Sequence, residues 1–322
     1  SAWPANPSGV PPKDYKVRFQ WTAPIAPSPH DPQLVYHGGN RLFATRDHGA
    51  SWTPISGDLT RNDATRQQWS GGPITGDITG VETYGTIFSI AESPLAAGTI
   101  WTGSDDGLVQ LTRDGGKSWS NVTPKALPEW ATIESIEASR TDAGTAYVVA
   151  HKYRLDDFRP LLFRTRDFGR TWESLTRGLP DDLPLWVLRE DPADAKVLYL
   201  GADRGLWWST DAGASWRDLQ LNLPTTTVTD LEAKHGDLVV ATRGRAIWVL
   251  EDLAALRGLG AAQTQDLALL PSRGAHRLRS QHAAAGGDGA RQQQRAIEPL
   301  ADFLDQRDRA LHAGVPAGTR GH

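Results

Sequence analysis

TRDGGKSW, from Thr112 to Trp119, is one of four copies of a single pattern, Ser/Thr-x-Asp-x-Gly-x-Ser/Thr-Trp. The others are TRDHGASW (Thr45 to Trp52), TRDFGRTW (Thr165 to Trp172) and STDAGASW (Ser209 to Trp216). Constrained positions matched four times within one chain mark a structural repeat rather than a bias of composition. A longer frame recurs around each copy: a β-rich run, a Gly-containing turn, a short strand, then the box. KVLYLGADRGLWWSTDAGASW (Lys196 to Trp216) and TIWTGSDDGLVQLTRDGGKSW (Thr99 to Trp119) show it most clearly. A fifth, degenerate unit, DLVVATRGRAIWVLEDL (Asp237 to Leu253), keeps two strands and the turn but lacks the box. The box aspartates fall roughly 44 to 67 residues apart, a spacing that suits four-stranded antiparallel blades with variable loops. The fold class expected is all-β, a β-propeller with about five blades visible.

The composition of the box explains itself as a hairpin closure between the third and fourth strands of a blade. Asp47, Asp114, Asp167 and Asp211 can accept hydrogen bonds from N–H groups of their own turn. Gly49, Gly116, Gly169 and Gly213 supply a positive φ that a side chain would penalise. Trp52, Trp119, Trp172 and Trp216 return the chain to a strand and bury aromatic surface beneath the turn. An acid used once per blade, in the same turn each time, does not converge on one active site. The boxes are therefore expected to build the fold, not to carry its chemistry.

Composition narrows the function classes. The chain has 322 residues, 13 of them Trp, and neither Cys nor Met. Without cysteine there is no disulfide framework, thiol nucleophile or Cys-ligated zinc. A net charge of −4 is not that of a nucleic-acid binder or a polybasic membrane-surface protein. No apolar run approaches the roughly 20 residues of a spanning helix. The histidines lie in separate turns without a ligand spacing, so no metal is expected; no phosphate-cradling loop points to a cofactor. The Ser1 start and the absence of methionine predict a partial chain.

Chemistry must then come from the irregular segments. Asp77, Glu82 and Tyr84 sit in a Gly-rich stretch, 71–92, that is too long for a hairpin. They are either acids projected into a cleft, the weak catalytic candidates of this sequence, or caps on a blade-to-blade connector. HKYRLDDFR, from His151 to Arg159, packs one His, two acids and three basic residues into nine positions. Arg154 and Arg159 could orient ligand carboxylates or hydroxyls, with His151 and Asp156 beside them. Alternatively, Arg–Asp ion pairs simply stabilise an enlarged turn.

The box resembles the Asp box of bacterial-neuraminidase-repeat β-propellers, found in sialidases, oligoxyloglucan-specific glycosidases and sortilin-type receptors. A closer resemblance lies between the boxes. SGGPITGDITGVETYGTIFSIAESP (Ser70 to Pro94), HKYRLDDFRPLLFRTRDFGRTW (His151 to Trp172) and HGDLVVATRGRAIWVLEDL (His235 to Leu253) are similar to large bacterial sortilin-like or glycosyl-hydrolase-like repeat proteins. That resemblance implies a secreted or periplasmic protein and a larger propeller whose N-terminal blades are missing here. It implies a glycan that the chain binds, and that the full-length protein hydrolyses as a glycoside hydrolase. The other class it leaves open is a non-catalytic propeller that binds protein or peptide. Sialidases grip a carboxylate with arginines, which makes Arg243 a candidate ligand-binding residue. The Arg-Leu/Ile-Pro element and the Tyr–Glu pair of sialidases are absent, so sialidase activity is not implied.

Residues 1–16 read as a Pro-rich N-terminal segment, 17–253 as the blades, and 254–322 as a short helix or linker with a largely disordered tail. All 13 Trp precede that tail, and AAAGGDGARQQQR within it is of low complexity. Ile297, Leu300, Leu304 and Leu311 give it a weak helical stripe.

Overall fold

The computed structural model describes residues 9–72, 74–77 and 82–262. Its first blade contains β1 (Ile25–Pro27), β2 (Val35–Gly38), β3 (Leu42–Thr45) and β4 (Thr53–Pro54). A two-stranded ribbon, β5 (Ser70–Gly71) and β6 (Gly76–Asp77), lies in the connector that follows. The second blade is β7 (Ile87–Glu92), β8 (Ile100–Ser104), β9 (Val109–Thr112) and β10 (Ser120–Asn121). The third is β11 (Thr132–Ala138), β12 (Ala146–Lys152), β13 (Asp157–Thr165) and β14 (Glu173–Ser174). The fourth is β15 (Leu185–Glu190), β16 (Leu198–Ala202), β17 (Gly205–Ser209) and β18 (Arg217–Asp218). A fifth, three-stranded blade is β19 (Val228–Lys234), β20 (Asp237–Thr242) and β21 (Ile247–Leu250), followed by helix α1 (Ala254–Ala262). Each blade is an antiparallel meander with its strands in chain order, which is the arrangement of a β-propeller.

First strands pack against first strands of the next blade, β7 on β11, β11 on β15 and β15 on β19. They therefore line the inner, concave face of the arc. The hairpins between second and third strands share one end with the connectors into each first strand. There Asp105 N donates to Thr86 O, Asp203 N to Pro184 O and Arg243 N to Thr227 O, each at 2.9 Å. The boxes lie at the opposite end, between third and fourth strands. The repeat that specifies the fold is thus kept away from the end that carries the varied loops.

All four boxes share one hydrogen-bond pattern. The first residue, Thr45, Thr112, Thr165 or Ser209, donates its hydroxyl to the aspartate at 2.7–2.9 Å. The same hydroxyl accepts the glycine N–H at 2.9–3.0 Å. The aspartate then accepts both the backbone N–H and the hydroxyl of the residue four positions on, at 2.5–2.9 Å. These charge-assisted bonds hold the carboxyls of Asp47, Asp114 and Asp167 down at about 2.

The tryptophan reaches further than its own turn. Trp119 Nε1 donates to Ile55 O at 3.2 Å, Trp172 Nε1 to Val122 O at 2.8 Å and Trp216 Nε1 to Leu175 O at 2.6 Å. Every acceptor lies just past the outermost strand of the preceding blade, so each box pins its blade to the one before. An indole N–H removed from water is stabilised by an acceptor, and the neighbouring blade supplies one. The box glycine follows the same logic. A Cβ at Gly116 would lie 2.5 Å from Ile55 O, and one at Gly169 2.6 Å from Val122 Cβ.

Polar clamps add to this packing between blades. Arg189 Nε donates to Leu231 O at 2.8 Å and its NH2 group to Asp230 at 2.8 Å, while NH1 lies 3.6 Å from Glu137. One guanidinium thereby joins the third, fourth and fifth blades. Small residues in the second strands let the next blade approach: a Cβ on Gly103 would overlap Ile133, and one on Gly201 would lie 2.8 Å from Val228 Cγ1. Val17 and Phe19 cover Phe43 and Trp52 on the first blade, and buried Arg18 bonds to Asp58, Thr60, Asn62 and Gly85 O. Leu253, Leu256 and Leu259 seat α1 on the core of the last two blades, where Arg257 bonds to Asp191 at 2.9 Å. The tail stripe at 297–311 lies outside the described residues.

Gly103→Ala is expected to destabilise the protein by about 1–3 kcal/mol through overpacking. Gly57→Ala, where a Cβ meets nothing within 4 Å, should change stability by less than about 0.5 kcal/mol; urea unfolding compares the two. The box aspartates have folded pKa values depressed below the unfolded value of about 3.9. Their stabilisation is present above that value and is lost as pH falls through about 2. Replacing Asp47, Asp114 and Asp167 by Asn should lower Tm at neutral pH and flatten its fall between pH 4 and 2.

Candidate functional site

The inner strands depart from regular pairing at one repeated position. In β7 the register against β8 shifts between Ile87 and Ser89, in β11 between Ile133 and Ser135, in β15 between Leu185 and Val187, and in β19 between Val228 and Asp230. The extra residue at each bulge is Phe88, Glu134, Trp186 and Thr229. A bulge bends its strand and re-aims a side chain, and all four of these residues line one groove of about 360 Å³ on the concave face. Ile25, Ile90, Ile136 and Val187 supply apolar surface there, and Ser89, Ser135, Arg189 and Asp230 supply polar groups. The groove is open and its accessible surface is mostly polar, with the aromatic and aliphatic groups set among the polar ones.

Where the groove meets the loop-bearing end, side chains from three blades converge. His151, at the end of β12 and 1% exposed, donates from Nε2 to Glu134 Oε2 at 3.0 Å. Its ring packs against Tyr153 at 4.8 Å and Trp186 at 4.9 Å, centroid to centroid, and these two lie 5.7 Å from each other. The Arg243 guanidinium stands over Trp186 at 4.4 Å and that of Arg154 over Tyr153 at 5.2 Å. Two buried polar atoms of the cluster, His151 Nδ1 and Trp186 Nε1, have no hydrogen-bond partner among the described residues. Such groups are costly unless water or ligand satisfies them.

Of the residues singled out in the sequence, the fold thus brings His151, Arg154 and Arg243 together. Arg159 does not join them: it forms a bidentate pair with Asp157 at 2.7–2.8 Å on the exposed side of the turn. Asp156 is exposed, ending a 3-10 turn (Tyr153–Leu155) in the left-handed conformation, φ 58°. Glu82 accepts from Trp21 Nε1 at 2.6 Å, and Tyr84 faces Trp130 at 6.4 Å. Asp77 pairs through its backbone with Ser70 in the ribbon, and its side chain lies outside the described residues. Sequence reasoning overlooked Glu134, Tyr153 and Trp186. A signal for two of them existed: the bulge spaces the inner-strand core residues three apart, as in Ile133/Ile136 and Leu185/Leu188, where regular alternation spaces them by two.

Two carboxyl groups line the groove, Glu134 and Asp230; Arg189 holds the second as an ion pair at 2.8 Å. Other acids are buried at the blade junctions. Asp105 accepts the N–H groups of Gly85 and Thr86 at 3.0 and 2.8 Å and the Thr86 hydroxyl at 3.1 Å. Burial nevertheless pushes it up to about 7, with neighbouring Asp106 adding to the rise. Burial likewise raises Glu137 to about 7, partly opposed by Arg189. No group of three or more His, Asp or Glu that could hold a metal ion occurs among the described residues. No helix of the described residues is long and apolar enough to cross a membrane.

A raised folded pKa means that the stabilisation from Asp105 is complete below its unfolded value and is lost as pH rises through about 7. Asn can keep both backbone bonds at Oδ1 and donate to the Thr86 hydroxyl. Asp105→Asn should therefore flatten the decline of Tm between pH 4 and 7, at about 1.4 kcal/mol per unit of pKa difference removed, as thermal melts across that range would show.

No family model matches the chain. A xyloglucanase of Acetivibrio thermocellus is 34% identical over 99 residues, covering 27% of this chain and 12% of that protein. A xyloglucanase of a Paenibacillus species is 26% identical over 170 residues, covering 48% of this chain and 16% of its own. The chain thus spans less than a fifth of the length of these curated relatives. Among solved structures, the GH74 xyloglucanase from Xanthomonas campestris superposes with a TM-score of 0.53 at 18% identity, over 71% of this chain and 36% of that one. An ancestral GH74 enzyme superposes with a TM-score of 0.51, again at 18% identity, over 75% of this chain and 29% of that one. The likeness to these two structures is one of fold, and the fold of this chain is a β-propeller.

Proposed function

We propose that the concave groove binds a glycan chain, as part of a glycoside-hydrolase-like propeller. The observation that carries this reading is the bulge repeated in four successive inner strands. It delivers Phe88, Glu134, Trp186 and Thr229, one per blade, to a common surface. Aromatic faces suit the apolar faces of sugar rings, and the carboxylate and hydroxyl suit their hydroxyls. A row of such groups along an open groove fits an oligomer better than a compact metabolite. The similarity to two xyloglucanases supports a polysaccharide as the ligand class.

Hydrolysis would require two carboxyl groups about 5–10 Å apart across a sugar bond. Asp230, committed to Arg189, is poorly free to act with Glu134. We therefore assign binding to this chain and turnover to the longer protein that it resembles. The repeated box and the segments between boxes support kinship with sortilin-like repeat proteins, and with it a secreted location.

Affinity electrophoresis in gels containing xyloglucan, β-glucan, xylan or pectin tests the reading, with calorimetry on any polysaccharide that retards the protein. Phe88→Ala and Glu134→Ala should each weaken binding by about tenfold, the loss of roughly 1.4 kcal/mol of contact. Unchanged mobility in every gel, or variants that bind as tightly as the parent, would sink the proposal. Reducing-sugar release that disappears in Glu134→Gln would show that the chain is itself catalytic.

A further inference from the structure

The residues above the groove carry charge that the glycan reading alone does not use. Arg154 and Arg243 are both exposed, and neither forms an ion pair with a carboxylate among the described residues. Arginines at neighbouring turns behave differently: Arg159 is paired with Asp157 and Arg204 with Asp182, both bidentate. Arg154 and Arg243 instead rest on aromatic rings, Tyr153 and Trp186, which flank His151. Stacking fixes the plane of a guanidinium while leaving its N–H edge open, the geometry that grips a carboxylate or sulfate through two parallel bonds. The arginines come from different blades, so the pair is placed by the propeller rather than by one flexible loop. Beneath them the buried Trp186 ring serves as the platform on which the Arg243 guanidinium rests.

We propose that this end of the groove is an anionic subsite, which selects glycans bearing an acidic sugar and seats the acid between Arg154 and Arg243. The inference rests on the glycan reading above and adds the charge class of the ligand. The anionic group is a hexuronate carboxylate, with a sulfate ester as its chemical equivalent.

Calorimetry on the full chain tests it with oligogalacturonate, the methyl ester of the same oligosaccharide, a neutral xyloglucan oligosaccharide, a sulfated galactan oligosaccharide and an oligo-aspartate peptide. The acid is expected to bind at least tenfold tighter than its ester. Arg154→Gln and Arg243→Gln should each reduce that ratio severalfold, and together bring it to about one. Both side chains are exposed, and an unchanged Tm confirms that the variants remain folded. A sulfated oligosaccharide preferred to the uronate, with the same response to the two variants, would support the subsite and identify its group as sulfate. Acid and ester binding equally, or an oligo-aspartate binding as well as the glycan acid, would overturn the anionic subsite while leaving glycan binding intact. Failure of all the glycans to bind would overturn both readings.

Discussion

An indole N–H donated to a carbonyl of the preceding blade is the interaction on which the rest of this structure depends. A four-stranded meander buries neither of its faces alone, so a blade is stable only against its neighbours. The bonds from Trp119, Trp172 and Trp216 to Ile55, Val122 and Leu175 fix the second, third and fourth blades each on the one before. The same docking explains why the residue beside that contact is glycine, since a Cβ there would strike the acceptor residue or its side chain. The box is thus both a turn and a joint, and its acid holds the turn in the one shape that lets the joint close.

Because the boxes sit at one end of the blades, the other end is free to vary. The enlarged hairpin carrying Tyr153 and Arg154, the long connector with its ribbon, and the turn bearing Arg243 all project there. Inner-strand bulges link this variable end to the groove. They are irregular in the sense of hydrogen-bond register, yet they occur in four blades at the same place. That repetition marks them as part of the architecture, and it gives each blade one side chain with which to address a ligand.

The fold was largely legible because its determinants are local. Ser/Thr, Asp, Gly and Trp at fixed offsets describe a turn, and repetition of that turn implies blades. The site was legible only in part. His151, Arg154 and Arg243 stood out as polar residues in irregular segments, and they do meet. Glu134 and Trp186 were hidden because both lie in strands, where an acid or an indole reads as ordinary alternation. Their placement in the groove wall depends on the bulge, and their proximity to His151 and Arg243 depends on how neighbouring blades pack. Arg159 misled for the converse reason: its partner, Asp157, is two residues away, and a local ion pair resembles a binding cluster until the side chains are placed.

The fifth blade shows what a blade looks like without its box. Among the described residues it has no fourth strand, and Ile247 and Val249 of its last strand are 69% and 55% exposed. Its inner face is held by the fourth blade and by α1, and no described strand pairs with its outer hydrogen-bonding edge. Cooperativity in an array of this kind passes from neighbour to neighbour, so the molecule is not equally rigid along its length. Slow amide exchange belongs to the second, third and fourth blades, which are gripped on both sides. Exchange should quicken toward β21, making the blade that supplies Arg243 the one that breathes most easily.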